Sequence, residues 1–460
     1  MTMKKSLLAM LALGSVAGMA HADITLLGEA DKAHLDVYGV LDAMYGNQQH
    51  SYGLDSQFPG STVIVGPYKI APTAAGATAG SVSGLMTGGI SPDRIGFKGE
   101  LPLSDRLKAF AVLETGFDIT SGRISSAGGC MASNGGSAGK GGGQTTDCAN
   151  SSINGQIDNR QGFVGLADST WGSLAYGRNY APEFDIASVY DPVQYAQLFS
   201  PLGFSGTLGG GGGFSEDMRV DNSFRYKNKI GAFNFGLFYK LNDSINYYES
   251  KTAWGANAGY EEGRFGVQYA YEQYTDGKKS TIGAVPDQLG VAIADTTSWM
   301  LAGKYKVTDA ATLKVGYSAF TLKAPSDLSS YANNPFNSGF YGYTVSAVNY
   351  FTNNGKATGT ALADQTTDIL WFGGDYNFTD KLNVAAGYFD IMPKQSSDLG
   401  QKNGSQKYYS LLVDYHYTPT LDTYVGLVHM TFSGDAYPTT GAAAVYTTNQ
   451  LIGIGGRYKF

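Results

Sequence analysis

The chain has 460 residues, a formal net charge of −7, 63 glycines, 13% aromatic residues and only 15% charged ones. A mean hydropathy of −0.17 excludes a helical membrane protein; it suits a soluble protein or a barrel, in which lipid-facing and polar residues alternate and cancel in the average. The acidic balance argues against nucleic acid as a partner, and abundant glycine with 32 tyrosines points to strands rather than helices.

Residues 1–22 come first in chain order. Lys4 and Lys5 precede an uncharged run from Ser6 to Met19, which leads into Ala20-His21-Ala22, the small-residue pattern of a cleavage site. The run is shorter than the ~20 apolar residues of a membrane-spanning helix, so the segment reads as a secretory signal cut after Ala22. Its loss takes the net charge from −7 to −9 (−7 minus two lysines) and leaves residues 23–460 as one unit.

Sixteen segments then alternate with period two, as strands do when successive side chains face opposite sides. They cover residues 34–47, 91–101, 106–118, 160–167, 172–178, 222–228, 232–241, 252–260, 264–272, 296–307, 311–321, 366–378, 381–391, 406–417, 421–432 and 448–460. Short turns such as PLSD (102–105), NKIG (228–231) and TPT (418–420) suit hairpins. The long connections, over 48–90, 119–159, 179–221, 242–251, 273–295, 322–365, 392–405 and 433–447, are rich in Gly, Ser, Asn and Thr. Loops of that size are uncommon inside a compact soluble domain. Their strict alternation with short turns is the asymmetry of a transmembrane antiparallel β-barrel, with short periplasmic turns and long extracellular loops. The only cysteines, Cys130 and Cys148, are 18 residues apart in the second long connection. In an exported protein they form a disulfide by default, and the window between them holds no His for a metal.

Parity assigns the faces. Ile95 and Phe97 take the apolar side of DRIGFKGE (93–100), so Arg94 and Lys98 point into the lumen; Phe224 and Tyr226 do the same for Arg225 and Lys227. Lys108 opposes Leu107 and Ala109 and is inward. Arg178 shares parity with Leu174 and Tyr176, so it faces the lumen only if its strand has already ended. LKAFAVLET (107–115) is apolar on both parities, which a subunit contact in place of lipid would explain. The closing LIGIGGRYKF puts Tyr458 and Phe460 on an apolar parity and Arg457 and Lys459 on the other, as expected of a last strand that pairs with the first.

Six stretches, VYGVLDA (37–43), DRIGFKGE (93–100), RLKAFAVLETGFDI (106–119), NRQGFVGLADSTWGSLAYGRNYAP (159–182), RVDNSFRYKN (219–228) and the terminal RYKF, jointly resemble the trimeric general porins of Gram-negative outer membranes, proteobacterial type. The resemblance spans nearly the whole mature chain. It implies an all-β, sixteen-stranded barrel, a homotrimer, and a water-filled channel for passive diffusion of small hydrophilic solutes and ions, without a cofactor. It implies that the assembly machinery of the outer membrane reads Phe460. It also implies that the third long loop (179–221) folds into the lumen as a constriction, with Asp185, Asp191 and Glu183 as its acids. Arg160 and Arg178 match family positions that bear arginine on the facing wall, beside Arg94, Arg225, Lys98 and Lys108. Opposed charges there would set a transverse field, with ion preference following the sign in excess.

A solute-specific porin and a barrel adhesin acting through its long loops are the neighbouring readings. An enzyme is disfavoured: there is no G-x-S-x-G, the glycine runs miss phosphate-binding spacings, and His34, His50, His416 and His429 lack metal-ligand spacing.

Overall fold

The computed structural model describes residues 24–29, 32–51, 80–120, 122, 160–202, 219–241, 252–275, 279–281, 290–292, 295–323, 365–395, 404–434, 439–440, 444–445 and 448–460. The signal segment and both cysteines lie outside the described residues. The strands are β1 (Ile24–Gly28), β2 (His34–Ser51), β3 (Gly80–Thr87), β4 (Arg94–Pro102), β5 (Leu107–Gly116), β6 (Gln161–Asp168), β7 (Gly172–Tyr180), β8 (Arg219–Ile230), β9 (Phe233–Lys240), β10 (Ala253–Glu262) and β11 (Phe265–Tyr274). They continue as β12 (Lys279–Thr281), β13 (Gly290–Ala292), β14 (Asp295–Lys306), β15 (Ala311–Lys323), β16 (Gln365–Asn377), β17 (Leu382–Gln395), β18 (Gly404–His416), β19 (Leu421–Gly434), β20 (Thr439–Thr440), β21 (Ala444–Val445) and β22 (Thr448–Lys459). Among the described residues there is one helix, α1 (Pro182–Tyr190), which follows β7. Among the described residues no helix is long and apolar enough to cross a membrane.

Eighteen strands form one antiparallel sheet that closes on itself. β3 and β4 are halves of one stave, since both pair with β2, and β1 only extends the sheet at one end; eighteen minus two gives sixteen staves. β12–β13 and β20–β21 are small hairpins in the long connections. The seam pairs β22 with β2, from Val40↔Lys459 to Gln49↔Gln450. Beyond it the Gly39 amide donates to the Phe460 carbonyl at 2.7 Å, and Phe460 N donates back to Gly39 O at 3.1 Å. β1 then takes over the same edge of β2 with Ile24↔Val37.

The strand boundaries agree with the periodicity except at the second stave. Its first half lies in GSVSGLMT, which alternates weakly, and residues 88–93 interrupt it. That interruption turns inward. Asp42 on β2 accepts the backbone N–H groups of Gly89 at 3.2 Å, Ile90 at 3.0 Å and Ser91 at 2.8 Å, which satisfies donors that the ladder has lost. Asp93 accepts from Asp42 N and from the Thr87 hydroxyl.

The outer surface has two aromatic belts. Phe233, Tyr260, Phe265, Tyr305, Tyr376, Phe378, Tyr415, Tyr417 and Tyr458 ring the short-turn end. Trp254–Tyr271, Trp299–Tyr317 and Tyr388–Tyr409 pairs form the other, with centroids 5.3–5.4 Å apart. This is the placement of ring side chains at two membrane–water interfaces with an apolar band between.

Candidate functional site

The inner wall from β4 to β8 carries cations. Arg94 lies on the buried face of β4, opposite exposed Ile95 and Phe97. Its Nε is 3.6 Å from Glu114 Oε2 on β5. Glu114 also accepts from Arg160 Nε at 2.6 Å and from the Tyr38 hydroxyl at 3.0 Å. Arg160 Nη2 reaches on to the Tyr180 hydroxyl at 2.9 Å, and the Arg219 guanidinium stands 5.5 Å from the centre of the Tyr180 ring. Strand parity alone would point Arg178 at lipid. The register between β7 and β8 slips between Gly177 and Asn179, and Gly177 takes φ +140°, a conformation open to glycine. β8 advances three residues there against two on β7, and Arg178 is buried beside this irregularity although β7 runs on to Tyr180. Lys98 is half-buried on the same face as Arg94, and Lys108 pairs with Glu100 at 2.8 Å nearer the short turns.

Residues 182–202 lie inside the barrel, along the other half of the wall. Pro182 sits at the start of α1, where its fixed φ suits the first turn and no N–H is needed. The Trp371 indole donates to Tyr190 O at 3.1 Å and Lys314 Nζ to Asp191 O at 2.9 Å. Gln194 Nε2 donates to Asn383 Oδ1 at 2.8 Å, and the Ser410 hydroxyl to Phe199 O at 2.5 Å. Ile186, Tyr190, Val193, Leu198, Phe199 and Leu202 are all buried. Glycines on the wall make room for them: a Cβ on Gly426 would stand 2.2 Å from the Phe199 ring, and one on Gly387 2.9 Å from Pro192. The segment ends on the inward turn of the second stave, with Leu198 N donating to Gly89 O at 2.9 Å.

The loop acids take three positions. Asp185 is bonded directly to the cationic wall, accepting from Arg225 Nη2 at 2.6 Å and Lys227 Nζ at 2.8 Å, so it does not oppose them across a gap. Glu183 is buried, and its amide donates to Glu272 Oε1 at 2.6 Å. Asp191 is fully buried and builds a turn instead of facing the lumen. It accepts from Val193 N at 2.7 Å and from the Ser200 hydroxyl, and burial pushes its carboxyl up to about 6. Gln194 and Tyr195 follow in the left-handed region, at φ 62° and 59°. Tyr180, Phe184 and Tyr195 form an aromatic row: the first two rings stack at 3.9 Å, and the third meets Phe184 edge-on at 5.6 Å.

Arg219, Glu114 and Tyr180 were not among the expected site residues. Glu114 shares parity with Lys108, so its signal was present, whereas the extra residue of β8 between Val220 and Ser223 breaks the parity that would link Arg219 to Arg225. Nothing in the sequence brings Tyr180 beside Phe184 without the loop's inward course. A second polar group near the short turns, Asp414, His416 and Asp422, has the spacing of metal ligands. Arg457 and Lys459 already neutralise it, at 2.9 Å and 3.2 Å from Asp422.

Both the sequence and the fold have relatives among known proteins. Residues 8–435 match the family described as Gram-negative porin. Outer membrane protein F of Serratia marcescens is 23% identical over 389 residues, covering 80% of this chain and 84% of that one. An outer membrane porin protein of Bordetella pertussis is 24% identical over 424 residues, covering 86% and 92%. Among solved structures, an anion-selective porin from Comamonas acidovorans superposes with a TM-score of 0.58 at 16% identity, over 93% of this chain and all of that one. OmpF of Salmonella typhi gives 0.53 at 17% identity, over 95% and 100%.

Proposed function

The chain belongs to the Gram-negative porin family, whose members form outer-membrane channels for passive diffusion of solutes, and on that premise we propose that its lumen favours small hydrophilic anions. The observation that carries the reading is the charge of the wall from β4 to β8. Arg94, Arg160, Arg178, Arg219, Arg225 and Lys227 are six cations on one arc. Four of the six share two acids: Arg94 and Arg160 pair with Glu114, and Arg225 and Lys227 pair with Asp185. Fixed charge of one sign in a narrow aqueous path raises the local concentration of the opposite ion. Asp185 is the loop acid that neutralises part of the arc, through Arg225 and Lys227.

The experiment is the reversal potential of the purified protein in a planar bilayer under a KCl gradient. The expected sign is that of a chloride-preferring channel. A potential of the opposite sign ends the anion reading and leaves the porin intact.

The same reading includes a homotrimer whose contact face is β2 and β4–β6. There the outward side includes Gly99, Ala109 and Ala111, bounded by Leu27, Leu35, Leu101, Val164 and Leu166 in a groove that is almost wholly apolar. Small residues allow close approach of a second wall. It also includes export with cleavage after Ala22, a bridge between Cys130 and Cys148, and recognition of Phe460 during assembly. It assigns the chain no catalytic role. N-terminal sequencing and thiol titration test the cleavage and the bridge.

A further inference from the structure

We propose that the aromatic row Tyr180–Phe184–Tyr195, set against the arginines of the wall, is a binding site for planar aromatic monocarboxylates on their way through the channel. The inference rests on the anion-preferring reading and names one class of anion that the lumen would retain rather than merely pass.

The argument starts from what lies together. Tyr180 is buried and engaged on two sides, with its hydroxyl held by Arg160 Nη2 at 2.9 Å and Arg219 5.5 Å from its ring centre. Phe184, from the first turn of α1, stacks on that ring with an interplanar angle of 11°. Tyr195 lies past the end of the helix, and the turn around Asp191 brings its ring back to meet Phe184 edge-on at 86°.

Phe184 and Tyr195 are only half-buried, unlike Ile186, Val193, Leu198 and Phe199 of the same loop, which pack into the wall. Two aromatic rings therefore keep part of their surface accessible beside an arc of guanidinium groups. An aromatic solute gains from stacked or edge-on contact with them beyond the area it buries. A carboxylate on that solute is matched by guanidinium geometry. A saturated ring of the same size and charge keeps the second contact and loses the first.

The probe pair is benzoate and cyclohexanecarboxylate, each added to the purified full-length channel while single-channel chloride current is recorded. Benzoate is expected to block at about three- to tenfold lower concentration, the range that an aromatic pair contact supports. Phe184→Leu keeps an apolar side chain on Tyr180 and should bring the ratio of the two blocking concentrations close to one. Equal block of the wild-type channel by both acids overturns the proposal, as does a ratio unchanged by Phe184→Leu in channels that still open. The reversal potential in KCl is read in the same membranes. A cation-preferring potential refutes the underlying anion reading, whereas a chloride-preferring channel with equal block refutes the aromatic site alone.

Discussion

The two halves of the inner wall use the same strand geometry for opposite ends. From β4 to β8 the inward positions carry arginine, and the loop meets them mainly through Asp185. From β11 to β19 several inward positions are glycine, and loop side chains fill the space, with Tyr190 over Gly266, Pro192 over Gly387 and Phe199 over Gly426. Side-chain size on the inner face thus decides which half of the barrel belongs to the solute and which to the loop. Charge on one half would count for little if the other half did not hold the loop still.

The strongest response to mutation should come from the charged half. Arg160→Ala removes the 2.6 Å partner of Glu114 and leaves a buried carboxylate with weaker compensation. The cost is on the order of 3 kcal/mol, as for other buried ion pairs that lose one member. Thermal unfolding followed by circular dichroism measures it, and an unchanged midpoint would show that the pair is not structural. On the packed half, Gly426→Val forces a branched side chain into the Phe199 ring. Overpacking of this kind costs about 1–3 kcal/mol, and the displaced loop should widen the spread of single-channel conductances. A channel as stable and uniform as the wild type would mean the loop is not seated there.

A weaker response separates the loop acids. Asp185→Asn should move the reversal potential further toward anions, and Arg225→Ala with Lys227→Ala should move it toward cations. Asp191→Asn should leave it within error, because that carboxylate faces Val193 N and Ser200 rather than the lumen. The shifts should shrink between 0.1 M and 1 M salt, as the Debye length falls from ~10 Å to ~3 Å. Equal shifts for Asp185→Asn and Asp191→Asn would erase the distinction between them.

The faintest response is to pH. Burial raises the Asp191 carboxyl from an ordinary 3.8 to about 6, so the folded loop favours its neutral form. That contribution is fully present below about 3.8 and is lost as pH rises through about 6. Open-channel noise should therefore be lower on the acid side of that window than at neutral pH, and Asp191→Asn should remove the difference.

Most of the barrel was legible because lipid on one side and water on the other impose period two, and parity placed Arg94 and Arg225 from Ile95, Phe97, Phe224 and Tyr226 alone. The second stave was not, because its break at 88–93 is stabilised by the side chain of Asp42, remote in sequence. Arg178 was left undecided for a similar reason: the pairing of β7 with β8 is irregular beside it, and on its own strand only Gly177 hints at that. The loop acids were the least legible. Asp185 and Asp191 are alike as letters, and what separates them is whether the wall beside each offers a cation or a glycine-made recess.

The inward turn at 88–93 also bears on how the molecule closes. The seam joins the first stave to the last, and two contacts cross it from within: the Tyr424 hydroxyl donates to Asp42 Oδ1 at 2.5 Å, and Arg457 Nη1 to the Ser91 hydroxyl at 2.8 Å. The loop after β7 spans the same seam, taking hold of Gly89 O through Leu198 N on one side and of the Ser410 hydroxyl through Phe199 O on the other. That loop belongs to the first half of the chain, yet its seat is made of residues from both ends of the sheet. Its docking acts as an internal clasp, because the loop makes all of these contacts only where both ends of the sheet are in place.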